Sequence, residues 1–524
     1  MIDLLQTSLL WRLLQAISAW FGRLPSGSVL CGAWKTSYTR SVFRAAGESD
    51  APALHESFFE RILQGAKSRL AGWEGVRACV LQSVPGRVVS WLVRVTAASK
   101  SLGWLASGGV TGILLTVLAL YSGIDWALRD VLPLPLISSV WDELLLIAAL
   151  VFALWQRTGV KKAEPSRTTT LDIFVGAFIL ICLALMLLIS PRMGIAVSGY
   201  RAVCQYLLWF FLVSRLLRGD GDYRRMYYAM LALAGVIALH GVYQYIIAVP
   251  IPAHWVAQAE QSVRTRVFSI FGSPNIMACY MVMFAPMAAG LAYSKKGWQY
   301  KVLGWGLAVL MCVSCLFTMS RGGWVAMAVA ILVFALLVDG RLLLLMAVAG
   351  VASLALPFVA SRIGFLFTED FTKANSNGGR DSRWRLGMEY LQNFGSPLFG
   401  MGFGQFGGAV AMQNQIHRSY LSYFYMDNYY MKTLTETGYV GLFSYLAMLM
   451  GLIVNGLRSL YRSFRTKADG FYAMSAGIFA GLCGTMVHCY FENIFEEPYM
   501  LATFWILAAM LLYGGLYRPK LKQI

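Results

Sequence analysis

Apolar stretches of about 17 to 25 residues recur along this chain from Gly109 onward, divided by short polar turns. Each can cross a hydrocarbon core of about 30 Å as a helix, the form in which one segment satisfies its own backbone N–H and C=O groups. Spans are expected near 109–128, 136–156, 171–190, 198–216, 226–248, 274–294, 302–319, 323–338, 341–360, 430–456, 471–491 and 498–516. About twelve spans predict an all-α fold, a polytopic helical membrane bundle. Of 524 residues, 58% are hydrophobic and 13% charged, and the mean hydropathy is +0.59. Those values exclude an ordinary soluble globule.

Orientation follows from the short connections, because loops rich in Lys and Arg stay on the cytoplasmic side. Arg157, Lys161, Lys162 and Arg167 follow the second span, and Arg215, Arg218, Arg224 and Arg225 the fourth. Lys295, Lys296 and Lys301 follow the sixth, Arg341 the eighth, and Arg458, Arg462, Arg465 and Lys467 the tenth, while Arg518, Lys520 and Lys522 close the chain. Both termini are therefore expected in the cytoplasm. The net charge of +18 is then a topology signal, and no nucleic-acid partner is expected. Nine cysteines show no zinc-like pair of Cys-x-x-Cys units, and no cofactor is expected. The opening MIDLLQTSLLWRLLQAISAWFGRL is interrupted by Arg12 and Arg23 and does not read as a cleavable signal peptide.

Residues 1–107 carry twelve Lys or Arg against six Asp or Glu, in segments with apolar residues at helical spacing. They are read as a cytoplasmic, basic, amphipathic region on anionic lipid, the alternative being a small helical domain docked on the bundle. Residues 108–360 then hold the first nine spans, 361–429 a long extracytoplasmic loop carrying part of the active site, and 430–524 the last three spans and a basic tail.

This orientation places arginines where topology disfavours them. Arg321, in TMSRGGWVAM, lies between the seventh and eighth spans; Arg264 and Arg266 precede the sixth in QSVRTRVFSIFGSPNIMA; Arg380 and Arg383 lie in the long loop. Guanidinium groups stay charged and pair bidentately with phosphate, which suits a pyrophosphate at the membrane surface. The plainer account is that they snorkel to headgroups or cap helix ends. The glycines of FGMGFGQFGG are read as turns, since a nucleotide loop needs a strand before it and a helix after it.

The order RVFSIFGSPNIMA, TMSRGGWVAM, GGRDSRWRLGMEYL followed by SPLFGMGFGQF, and DNYYMKTLTETGYVGL resembles the O-antigen ligase and O-antigen polymerase superfamily, over roughly residues 264–442. The resemblance implies a metal-independent inverting glycosyltransferase of the bacterial cytoplasmic membrane. Its donor would be a glycan on a polyprenyl (undecaprenyl) pyrophosphate carrier at the outer face, and its acceptor a sugar, lipid or protein hydroxyl. Pyrophosphate-binding roles would fall on Arg321, Arg266, and Arg380 or Arg383, with Arg264 beside them and Asn275, Ser320 and Asn428 in support.

Many members carry His-Asn where this chain has Asp427-Asn428. A carboxylate within about 3 Å of a sugar hydroxyl can remove its proton, so Asp427 is the candidate base and His417, ten residues earlier, its substitute. The plainer readings are an N-cap for Asp427 and a loop histidine for His417. The competing class is a secondary transporter or polysaccharide-export component without transferase activity, for which Asp142, Glu143, Asp172 and His240 are the ionisable candidates.

Overall fold

A computed structural model of the chain describes residues 65–66, 68–98, 103, 109–132, 135–156, 168–252, 265–295, 297–365, 367–369, 379–416, 425–465 and 470–517. Two helices, α1 (Glu74–Gln82) and α2 (Val84–Ala98), precede the bundle. Then follow α3 (Gly109–Ala119), α4 (Tyr121–Trp126), α5 (Pro135–Trp155), α6 (Thr170–Ile189), α7 (Met193–Cys204), α8 (Leu208–Leu216), α9 (Asp220–Ile246) and α10 (Pro274–Ser294). The chain continues through α11 (Trp298–Phe317), α12 (Arg321–Leu337), α13 (Arg341–Ser353), α14 (Pro357–Phe365), α15 (Arg380–Phe394) and α16 (Ala409–Gln413). It ends with α17 (Tyr429–Arg465), α18 (Phe471–His488) and α19 (Pro498–Leu512). No strand occurs among the described residues, and the one isolated bridge joins Ser396 to Gly400.

By length and apolarity nine helices among the described residues can cross a membrane, with α7 and α8 counted as one, or up to eleven if each bent pair is one span. The expected number was about twelve. The differences lie in specific elements: α3 and α4 meet at 69°, α13 and α14 at 89°, and α12 has 17 residues. The second bend has a local cause, because α14 starts at Pro357, which lacks the N–H that would continue the ladder of α13.

At the centre, α10 packs along α18, both buried over most of their length. Lipid offers no hydrophobic drive to bring helices together, so close van der Waals packing through small residues must do it. Gly477 and Gly481 supply it: a Cβ at either would overlap the Pro286 or Met283 carbonyl of α10.

The helix α17 runs for 37 residues, about 55 Å at 1.5 Å per residue, well beyond a hydrocarbon core of about 30 Å. It is interrupted at Gly438, whose φ of 66° and ψ of −171° are non-helical. The glycine-rich segment stitches the break. Tyr439 and Val440 donate to the carbonyls of Pro397 and Leu398 at 2.9 and 3.0 Å, while Met401 and Gly402 donate to those of Thr435 and Glu436, both at 3.0 Å. Gly400, Gly402, Gly404 and Gly407 all have positive φ, so the segment does turn repeatedly, as its composition predicts.

Candidate active site

The helices α10, α12, α17 and α19 all begin at one end of the bundle, and the turn after α18 closes it. Ser320 sets the start of α12: its Oγ accepts from the Gly323 N–H at 3.2 Å, satisfying one of the first-turn donors. Arg321 is the first helical residue, and its guanidinium lies 5.5 Å from the Phe365 ring. Phe365 reaches it because α14 doubles back at the 89° bend, and Arg362 of the same helix donates to the Met319 carbonyl at 2.8 Å.

Arg266 is anchored from two sides. Its Nε donates to the Thr318 carbonyl at 3.0 Å, and a terminal nitrogen donates to Asn275 Oδ1 at 3.3 Å. Burial pushes this guanidinium down to about 10, with Arg321 and Arg380 adding to the shift and Glu492 opposing it. It stays cationic near neutral pH. Three cations therefore share one electrostatic neighbourhood. Their mutual repulsion is opposed in part by Glu492, and an anion bound among them would oppose it further.

Asp427 faces the same cluster. Its Oδ2 accepts from Arg380 Nε at 2.8 Å and lies 3.4 Å from Arg383, while its buried Oδ1 has no hydrogen-bond partner. Arg383 also donates to the Tyr425 carbonyl at 3.2 Å. Asp427 does not cap α17. That role belongs to Asn428, whose Oδ1 accepts from the Met431 N–H at 3.0 Å. Arg264 and His417 lie outside the described residues.

The structure brings Arg266, Arg321, Arg380, Asn275 and Asp427 to one place, and it adds residues that the sequence reading missed. Glu492, in the turn after α18, bonds to the Asn275 amide and accepts from the Asn493 N–H at 3.2 Å. Burial, reinforced by Asp427, raises its carboxyl above the usual range. His488 is buried one helical turn earlier, its Nδ1 without a partner, and packs with Phe491 against Gly322. The available signal was FENIFEEPY, three glutamates in a short turn between apolar spans.

Behind this layer lies a buried ionic group. Lys432 Nζ stands 3.0 Å from Glu436 and 3.4 Å from Glu496. Glu496 also accepts from the Ala409 N–H at 2.7 Å and the Asn493 side chain at 2.8 Å. The paired charges fasten α17, the turn after α18 and the end of the glycine segment to one another. The acids considered for transport are also engaged: Asp142 accepts from Tyr206 at 2.6 Å, Asp172 from Arg215 at 2.7 Å, Glu143 pairs with Arg201, and His240 bonds Ser269 at 2.9 Å.

Fold and site together define a class: an α-helical membrane protein with a partly buried cluster of arginines and carboxylates at one end of its bundle. Residues 306–446 match the family model described as O-antigen ligase, a similarity over that stretch that supports the O-antigen ligase and polymerase superfamily. The match supports a bacterial membrane enzyme of the ligase or glycosyltransferase type, acting on a lipid-linked glycan and an acceptor. No curated protein matches the chain. Arg321, Arg380, Arg383 and Asp427 fall inside the matched region, whereas Arg266, Asn275 and Glu492 fall outside it.

Proposed function

We propose that this protein transfers a glycan from a polyprenyl pyrophosphate carrier to an acceptor hydroxyl at the outer face of the bacterial cytoplasmic membrane. The observation that carries the reading is the convergence of Arg266, Arg321 and Arg380 beside a carboxylate with one unpartnered oxygen. The arginines take the pyrophosphate and neutralise the negative charge that grows on it as the anomeric C–O bond breaks. The acceptor oxygen forms the new bond to the anomeric carbon from the opposite side, which inverts its configuration. Its proton passes to Asp427 Oδ1, and the pyrophosphate leaves with the electron pair. Positive charge comes from side chains, so the scheme needs no metal.

Sidedness rests on charge. Lys295, Arg458, Arg462 and Arg465 lie at the end of the bundle away from Arg321, and the end rich in cations faces the cytoplasm in this reading. The segment 361–429 is then an outer loop that forms part of the site. Residues 1–64 lie outside the described residues; the inner-leaflet reading rests on α2, which exposes Val84, Val88, Trp91 and Val95 in one stripe with Arg87 and Arg94 along its edge.

Arg321→Ala should lower glycan transfer by about a hundredfold or more, the scale of losing one electrostatic donor to a transition state, while the protein still inserts in the membrane. Arg321→Lys keeps the charge but loses the fork and should fall between the two. Full transfer by both variants, measured on purified protein with a lipid-linked glycan, would remove Arg321 from the donor site and leave headgroup snorkelling as its role.

A further inference from the structure

Glu492 is hydrogen-bonded to the donor site through Asn275, and the chemistry of that contact is directional. An ionised carboxylate has lone pairs and no proton to give. It therefore bonds to the amide nitrogen of Asn275, the arrangement present here. With its NH2 group so engaged, Asn275 turns its oxygen the other way, and that oxygen accepts from Arg266 at 3.3 Å. The second oxygen of Glu492 accepts from the Asn493 N–H at 3.2 Å. Three separate segments meet in this chain of bonds: the approach to α10, the first turn of α10, and the turn after α18. Glu492 is buried, which shields its own links from water.

We propose that Glu492 is a positioning residue of the donor site: it fixes the amide of Asn275, and Asn275 in turn holds the Arg266 guanidinium in the orientation that meets the pyrophosphate. This rests on the donor-site reading above. Protonating Glu492 would reverse the polarity of the chain, because a carboxylic O–H calls for the oxygen of Asn275 and leaves NH2 facing a cation. The charged and titratable groups around Glu492 include Asp427, Arg380, Arg266 and Cys279, and His488, whose carbonyl accepts from the Glu492 N–H at 3.0 Å. Its raised carboxyl makes that reversal begin at a higher pH than for an ordinary glutamate. Donor binding should therefore weaken as pH falls through that raised range.

The test is a polarity swap, read by the binding of undecaprenyl pyrophosphate without glycan to the purified full chain. Glu492→Gln should bind about tenfold more weakly, the equivalent of one misplaced hydrogen bond to a charge, and should lose the acid-side decline. Combining Glu492→Gln with Asn275→Asp should restore binding to within about threefold, since the introduced amide then donates to the introduced carboxylate, whose other oxygen faces Arg266. A residue needed only for folding or as a base would gain nothing from the swap. Binding by Glu492→Gln equal to that of the wild type, or a double variant no better than the single one, would overturn the proposal. If Glu492→Gln does not fold, the double variant must recover both folding and binding, and its failure counts equally against the idea. A wild-type protein that does not bind undecaprenyl pyrophosphate would sink the donor-site reading itself, whereas wild-type binding unchanged in the variant sinks only the role of Glu492.

Discussion

Replacing Asp427 with Asn changes one oxygen to an NH2 group, which removes its basicity together with the charge that faces Arg380 and Arg383. The helix cap is unaffected, because Asn428 makes it. An amide oxygen can still accept from Arg380, but it has no basicity near neutral pH. Transfer should fall by about a hundredfold or more, the usual weight of a general base, with the thermal midpoint little changed. Normal turnover in a single-turnover assay would dismiss Asp427 as the base and make His417→Ala the next variant to measure. At this scale the arginines were legible because their sign conflicts with the side on which the expected topology puts them. Glu492 was not, since a glutamate in a turn is ordinarily solvated and its partner Asn275 lies 217 residues away.

Single elements were placed by their apolar length, and most of their ends agree with the expected spans within a few residues. What length could not convey is where a helix is interrupted. The expected span 430–456 runs through Gly438 without a break, yet Gly438 sits in a backbone region that belongs almost to glycine alone. Its replacement partners come from 397–402, so the break is a tertiary event. A Cβ at Gly438 would overlap the Leu398 carbonyl and the Phe399 nitrogen. Gly438→Ala should therefore lose about 3 kcal/mol or more, combining backbone strain with overpacking, and should show a lower thermal midpoint in detergent. Gly350→Ala is the control: nothing stands within 4 Å of its Cβ, and a helix gains slightly from alanine. Equal midpoints for the two variants would mean that the Gly438 break is dispensable.

Across the whole molecule, the bundle follows from hydropathy and its proposed orientation from the distribution of cations. In a chain whose own cysteines are replaced, Met412→Cys should react with an impermeant thiol reagent in intact cells, since Met412 is exposed beside the site. Tyr461→Cys, exposed near the opposite end, should react only after permeabilisation. The reverse pattern would turn the site toward the cytoplasm and remove the proposed donor geometry. The site itself was only half visible in the sequence. Its arginines stand out in motifs between residues 264 and 442, while the turn after α18 that orders them lies beyond that stretch and joins only through folding.

The stitched interruption in α17 also implies an order of events during biogenesis. Unpaired backbone groups are costly in lipid, so residues 429–465 favour an unbroken helix wherever lipid surrounds them before 397–402 docks. Segment 397–402 has already left the ribosome by then, and only its docking supplies the donors and acceptors that let the helix part at Gly438. Until that happens, Lys432 and Glu436 are not yet joined to Glu496, which is synthesised later still. The newborn protein is therefore inserted before the end that carries the proposed site is assembled, and that end matures last.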